Sequence, residues 1–302
     1  MRTAPLVPIP TRPAHEGVHT GATRARRGGR AALAGHYLAL GLLAVLFAFP
    51  FYWMFVTSLE TTAHIFDLPP NFLPLWDWNN YADAWNATSW GRYFLNTVFM
   101  AATVTALVLL TSLLAAYAFA MLRFPGKGLL FLIILLVLVI PDEVILAPQD
   151  IILGNIGWLN TYQALIVPFA ASPFGIFLLR QFFLGLPPEL WDAAQIDGAG
   201  RTTYLFRVAA PLAGPALGAV ALYTFLGMWN QFLYPLVIAA FNSDIWPIQV
   251  GLNDFVQKNN IAWTQLAAAS VFTTLPLLVV FLLTQKTIIN GVAASGGGAV
   301  KG

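Results

Sequence analysis

The sequence contains no cysteine. That excludes a disulfide framework, a thiolate metal site and a cysteine nucleophile. Charge is nearly as scarce: Asp, Glu, Lys and Arg make up 9% of the 302 residues, where a soluble domain carries about 25%. Histidine occurs four times. His15 and His19 are four apart, but they lie in a polar N-terminal stretch without the apolar residues needed to fold around a metal. No Gly-x-Ser-x-Gly elbow is present, and Gly126-Lys127 lacks the leading glycine and the following Ser/Thr of a phosphate-binding loop. The sequence therefore points to no catalytic residues, no metal site and no resident cofactor, and nothing in it suggests nucleic acid. What the chain does have is apolar residues, 58% of the total, so it is expected to be an integral membrane protein.

Crossing the hydrocarbon takes about 20 apolar helical residues. Six stretches qualify: roughly 35–58, 93–120, 129–149, 161–184, 212–239 and 264–285. The expected fold class is an all-α membrane protein with six transmembrane helices over 35–302, preceded by a disordered basic tail over 1–34. The first stretch is longer than a signal-peptide core and no clear cleavage site follows it, so it reads as an uncleaved span. Pro168, Pro173 and Arg180 interrupt the fourth. Proline is tolerated in a membrane helix when neighbours satisfy the freed carbonyls.

Basic residues mark the cytoplasmic segments of membrane proteins. With the N-terminus inside, thirteen of the fifteen bases fall on cytoplasmic segments; Arg92 and Lys258 fall outside. Both termini and residues 185–211 are therefore expected in the cytoplasm. The first outer loop, Glu60 to Arg92, carries Trp76, Trp78, Tyr81, Trp85 and Trp90. These rings form either an interfacial aromatic belt or a surface for a protein partner.

Residues 186–211 hold Glu189, Asp192, Asp197, Arg201 and Arg207, a polar insert between apolar spans. Pro188 suits a first helical position and Glu189 the positive end of the dipole. Leu190, Ala193, Ala194 and Asp197 recur at i, i+3, i+4 and i+7, which places them on one helical face. Gly198 and Gly200 end that helix, and Thr202 or Thr203 can cap a second one running to Pro211.

Asp192-Ala193-Ala194, then Gly198 and, after nine intervening residues, Val208-x-Ala210-Pro211 resemble the EAA loop of bacterial ABC-importer membrane subunits. The family pattern has Glu, Ile and Leu where this chain has Asp192, Val208 and Ala210. Phe177–Phe183, Ile196–Ala199, Trp229–Leu236 and Gly298–Gly302 narrow the resemblance to the MalG/UgpE-like carbohydrate-uptake permeases, over roughly residues 35–302. The resemblance implies a multi-pass permease of the bacterial plasma (inner) membrane, with the maltose-type importer fold. It implies a second, similar permease subunit, two copies of an ABC ATPase and an extracytoplasmic solute-binding protein. ATP and Mg would bind the ATPase. Glu189, Asp192, Ala193, Ala194, Asp197, Gly198, Arg201 and Pro211 would form the ATPase-docking and coupling loop. The solute would be a sugar, an oligosaccharide or a glycerol-3-phosphate-type compound.

Two groups are candidates for the solute path. Asp142 and Glu143 follow Pro141 in the third stretch, either within the membrane, where carboxylates are functional candidates, or at its outer interface. Trp229, Asn230, Gln231 and Tyr234 precede Pro235 in the fifth, a proline expected to break that helix and expose carbonyls beside protein or a water-lined path. Amides and aromatic faces suit sugars, yet Asn230 and Gln231 could equally bond between helices. The alternative function is a self-contained secondary carrier that binds a coupling ion at Asp142/Glu143. Such a carrier is expected to show inverted repeats, and none is visible.

Overall fold

The computed structural model describes residues 24–258 and 262–296, and the described chain is helical, without strands. His15, His19 and Gly298–Gly302 lie outside the described residues. The chain divides into two compact units, 1–53 and 54–302. The first holds most of α1 (Arg24–Ser58), a helix that is strongly apolar over Gly35–Ser58, with Pro50 in its interior. Residues 24–34, expected in a disordered tail, are the first turns of this helix. The run Ala31-Ala32-Leu33-Ala34 has high helix propensity and favours that extension.

The second unit begins with α2 (Asn79–Asn86) and the long α3 (Trp90–Met121). Next come α4 (Lys127–Val137), α5 (Asp142–Asn155), α6 (Tyr162–Ile166) and α7 (Pro173–Leu184). Short helices α8 (Glu189–Ile196), α9 (Arg201–Tyr204) and α10 (Ala210–Leu212) lead to α11 (Gly214–Trp229) and α12 (Leu233–Ile238). The chain continues through α13 (Ile248–Lys258) to α14 (Trp263–Gly296).

Four helical segments among the described residues are long and apolar enough to cross a membrane: Gly35–Ser58, Trp90–Met121, Tyr162–Leu184 and Trp263–Leu283. Counting each of two bent pairs as one span brings the number up to six. One pair is α4 and α5, which meet at 100°. The third expected span, 129–149, is therefore two helices. Pro141 takes an extended conformation (φ −62°, ψ 137°) ahead of α5, as a residue that cannot donate to the preceding turn. In the other pair, Arg201–Leu212 and α11 meet at 77°. The fifth expected span, 212–239, is also discontinuous: it breaks after Trp229, ahead of Pro235. That proline sits in the first turn of α12, where its missing N–H costs nothing.

α3 is the central post, packing most extensively on α7 and α11. Met100, Val104 and Val108 of α3, Leu179 and Phe183 of α7, and Val220 of α11 share one buried core. A second core gathers Trp90, Tyr93, Trp229, Phe255, Ala268 and Ala269. Trp90, expected in the aromatic belt or on a docking surface, is 1% exposed, and its Nε1 donates to Ala84 O at 2.7 Å. Trp76, Trp78 and Trp85 are exposed.

Side chains of α3 also satisfy backbone groups where other helices break. Asn96 Nδ2 donates to Asp244 O (2.9 Å) and Trp246 O (3.0 Å), and Asn96 Oδ1 accepts from Tyr162 Oη (2.6 Å). Thr97 Oγ1 accepts from Ile248 N at 2.8 Å, capping α13 from another helix. Thr111 Oγ1 donates to Ala170 O at 2.8 Å, in the gap between α6 and α7. At the other end of α3, Lys127 Nζ donates to Ala120 O and Leu122 O, and Arg180 Nε to Phe119 O. Two cations thus serve the carbonyl end of the α3 dipole. The Arg180 guanidinium also lies 4.1 Å from the Phe131 ring centroid.

Two glycines permit close packing around α3. A Cβ on Gly251 would lie 2.2 Å from Tyr93 Cδ2, and one on Gly175 would lie 2.6 Å from Ser112 Oγ. Overpacking of this kind costs about 1–3 kcal/mol. Gly251→Ala and Gly175→Ala are each expected to lower the melting temperature of the detergent-solubilised protein by several degrees. Gly214→Ala, where a Cβ meets nothing within 4 Å, is expected to leave it unchanged. Fluorescence-detected size-exclusion after heating measures all three.

Candidate functional site

Two regions of the second unit concentrate the sequence-predicted site residues. The first is the insert from α8 to α10. α8 starts after Pro188 and carries Glu189 and Asp192 in its first turn. It ends in a Schellman arrangement: Ala199 N donates to Ala194 O (2.8 Å), and Gly198 N to Gln195 O (3.0 Å). Gly198 has φ +75°, the left-handed region that this motif requires. A Cβ there would meet nothing within 4 Å, so glycine is needed for its backbone conformation alone. The following helix starts at Arg201 with Gly200 as its N-cap and no side-chain cap. Thr202 and Thr203, expected as caps, lie inside it.

The insert packs through aromatic rings. Trp191 meets Tyr204 edge-on at 5.1 Å, Tyr204 meets Tyr117 of α3 at 6.4 Å, and Tyr117 meets Phe183 of α7 edge-on at 6.2 Å. Tyr204 is 1% exposed. A cavity of about 230 Å³ lies among these rings, with Asp192 and Arg201 in its lining. Residues Leu205–Ala209 then form a π-helical turn ahead of Pro211.

The expected helical face needs correction. Leu190, Trp191 and Ala194 turn toward the bundle, whereas Ala193 and Asp197 are exposed beside Glu189 and Asp192. The aromatic anchor Trp191 displaces the face by one residue from the simple apolar periodicity. Ile196 is 87% exposed. A large aliphatic side chain so placed, between Asp192 and Gly198, belongs to the outward surface of the insert. Sequence reading missed it because an isoleucine in a short helix ordinarily reads as core.

The second region is a cavity of about 590 Å³ bounded by α3, the α4–α5 bend, the α6–α7 break and α11–α12. Asp142, Glu143, Gln231 and Tyr234 line it together. Asp142 and Glu143 are exposed in the first turn of α5. Gln149, Ser172 and Thr224 add neutral hydrogen-bonding groups, and Phe169, Phe174 and Tyr223 add rings. Tyr234 Oη donates to Ala164 O at 3.0 Å, and its ring meets Phe169 edge-on at 4.8 Å. The other two predicted path residues are elsewhere. Trp229 is 1% exposed in the second core, packed against Phe94 and Phe225. Asn230 is exposed, and its Nδ2 donates to Leu226 O at 2.9 Å, closing the end of its own helix. Both sit beside the cavity in sequence, but the break after α11 turns them away from it.

The model of the family described as "Binding-protein-dependent transport system inner membrane component" matches residues 108–292. Among the similar proteins is the diacetylchitobiose uptake permease NgcG of Streptomyces coelicolor, 35% identical over 87% of this chain and 88% of its own length. The sn-glycerol-3-phosphate permease UgpE of Pectobacterium atrosepticum is 35% identical over 85% and 94%. The arabinooligosaccharide permease AraQ of Bacillus subtilis is 30% identical over 84% and 92%. A chain in the crystal structure of a bacterial ABC transporter that imports the acidic polysaccharide alginate superposes with a TM-score of 0.75. It covers 88% of this chain and 99% of that one, and the identity of 23% shows a shared fold. The chain belongs to the inner membrane components of binding-protein-dependent transport systems, multi-pass permease subunits of ABC importers that work with other transporter subunits.

Proposed function

We propose that this chain forms half of the translocation path of a carbohydrate importer and couples it to a separate ATPase through the α8–α10 insert. The observation that carries the reading is the two-sided build of that insert. Its inner face is held to α3 and α7 by Trp191, Tyr204, Tyr117 and Phe183. Its outer face presents Glu189, Asp192, Asp197, Arg201 and Ile196 to a partner. The insert lies on the cytoplasmic side with both termini, as the distribution of bases supports. Two copies of an ABC ATPase dock there and bind ATP and Mg. A second permease completes the path, and an extracytoplasmic solute-binding protein delivers the solute. NgcG, UgpE and AraQ are named for a disaccharide, glycerol-3-phosphate and oligosaccharides.

Coupling then follows from packing. Closure of the ATPase pair moves α8, and the ring cluster passes that displacement to α3 and α7. Because packed cores are bistable rather than continuously deformable, a local push selects between two arrangements of the spans. Asp192 is one methylene shorter than the Glu of the family pattern, so an ion pair with the ATPase requires closer seating.

Gly198→Asp is expected to uncouple the importer. It puts a side chain at the left-handed φ of +75° and adds a carboxylate to the docking face. Solute uptake is expected to fall at least about tenfold, the factor that corresponds to about 1.4 kcal/mol, while the protein still reaches the membrane. Normal uptake would sink the coupling role. Affinity isolation in mild detergent is expected to bring down a Walker-motif ATPase and a second permease. Recovery of the chain alone, moving solute into liposomes without ATP, would instead establish the secondary carrier.

A further inference from the structure

We propose that Asp142 and Glu143 make the 590 Å³ cavity an anion filter, so that the path carries uncharged polyhydroxyl solutes and rejects phosphate esters and acidic sugars. The inference rests on the permease reading above and concerns the solute class of the same path. Among the described residues that line the cavity, Asp142 and Glu143 are the only charged ones, with no Lys, Arg or His. The remaining polar groups are the neutral side chains of Gln149, Ser172, Thr224 and Gln231. Amides and hydroxyls exchange hydrogen bonds with sugar hydroxyls without needing a charge on the solute. The rings of Phe169 and Tyr234 offer apolar faces for a sugar's C–H groups.

The placement of the carboxylates strengthens the argument. The N-terminus of α5, a helix of 14 residues, opens at the bend after Pro141. A helix N-terminus inside a water-lined cavity would ordinarily attract an anion through its free N–H groups and dipole. Here its first two residues are acids. Their negative charge answers the dipole from within the chain and leaves a net repulsive field for an anionic solute. Among the described residues, no base lines the cavity to offset them.

The chain has no cysteine, so a single introduced thiol reports the field of the cavity directly. Thr224→Cys and Gln231→Cys would each be made in the assembled importer, with cysteine-free partner subunits. Each would be treated at low ionic strength with a cationic trimethylammonium-ethyl and an anionic sulfonato-ethyl methanethiosulfonate. The cationic-to-anionic rate ratio is expected to exceed that for a small free thiol by about tenfold, as two nearby carboxylates at intermediate dielectric require. In an Asp142→Asn/Glu143→Gln background the ratio should fall to about the free-thiol value. An unchanged ratio, a faster anionic reagent, or thiols that react with neither reagent would each overturn the filter. ATP hydrolysis by the same preparation separates the two readings. An ATPase-bound importer without charge selectivity refutes the filter alone, whereas a chain that assembles with no ATPase refutes the permease reading itself.

Discussion

Backbone hydrogen bonding in a medium without water is the constraint on which this structure depends. In hydrocarbon every N–H and C=O needs a partner inside the protein, and each one left unpaired costs several kcal/mol. Helices meet that need by themselves, but this chain breaks its helices at 138–141, 170–172 and 230–232. The breaks are tolerated because other groups supply the missing bonds. Thr111 reaches Ala170 O at the second, and at the third Asn230 N donates to Leu226 O and Gln231 N to Met228 O. At the first break the chain tightens instead, with Val139 N donating to Leu136 O and Ile140 N to Val137 O. α3 thus serves as both hydrophobic post and hydrogen-bonding post.

The same breaks create the cavity. A bundle of straight, continuous helices would pack its apolar faces together and leave no polar path. The α4–α5 bend, the α6–α7 gap and the α11–α12 break all open on one space, so irregular backbone occurs where it borders a cavity rather than lipid. Polar side chains gather there for the same reason. Around the α8–α10 insert the arrangement is reversed. Rings bridge the insert to the bundle around a small cavity, so displacement of the insert is passed on by contact rather than absorbed by a loose loop.

Fold and charge are separate properties in this family. The chain shares its fold with an importer of an acidic polysaccharide at 23% identity and a TM-score of 0.75. The fold places a cavity at the helix breaks, and side chains of α5 and α12 are among those that line it.

Much of this was legible from residues alone. Scarce charge and long apolar runs required membrane helices, because apolar area of that extent cannot be hidden in a chain of 302 residues exposed to water. The glycine at 198 required a left-handed turn, since its spacing from the acids of α8 ends a helix there and glycine alone adopts that conformation freely. Tertiary structure decided the rest. Hydropathy cannot reveal a bend, so 129–149 read as one span although Pro141 divides it; in 212–239 Pro235 signalled a break, but the helix parts earlier, at Asn230–Phe232. Adjacent residues in sequence also part company at a helix end: Trp229 went to the core and Gln231 to the cavity, and only packing could choose between them. Asp142 and Glu143 were visible as costly carboxylates, but that they meet Gln231 and Tyr234 across one space depends on contacts nearly a hundred residues apart in sequence, which no local pattern encodes.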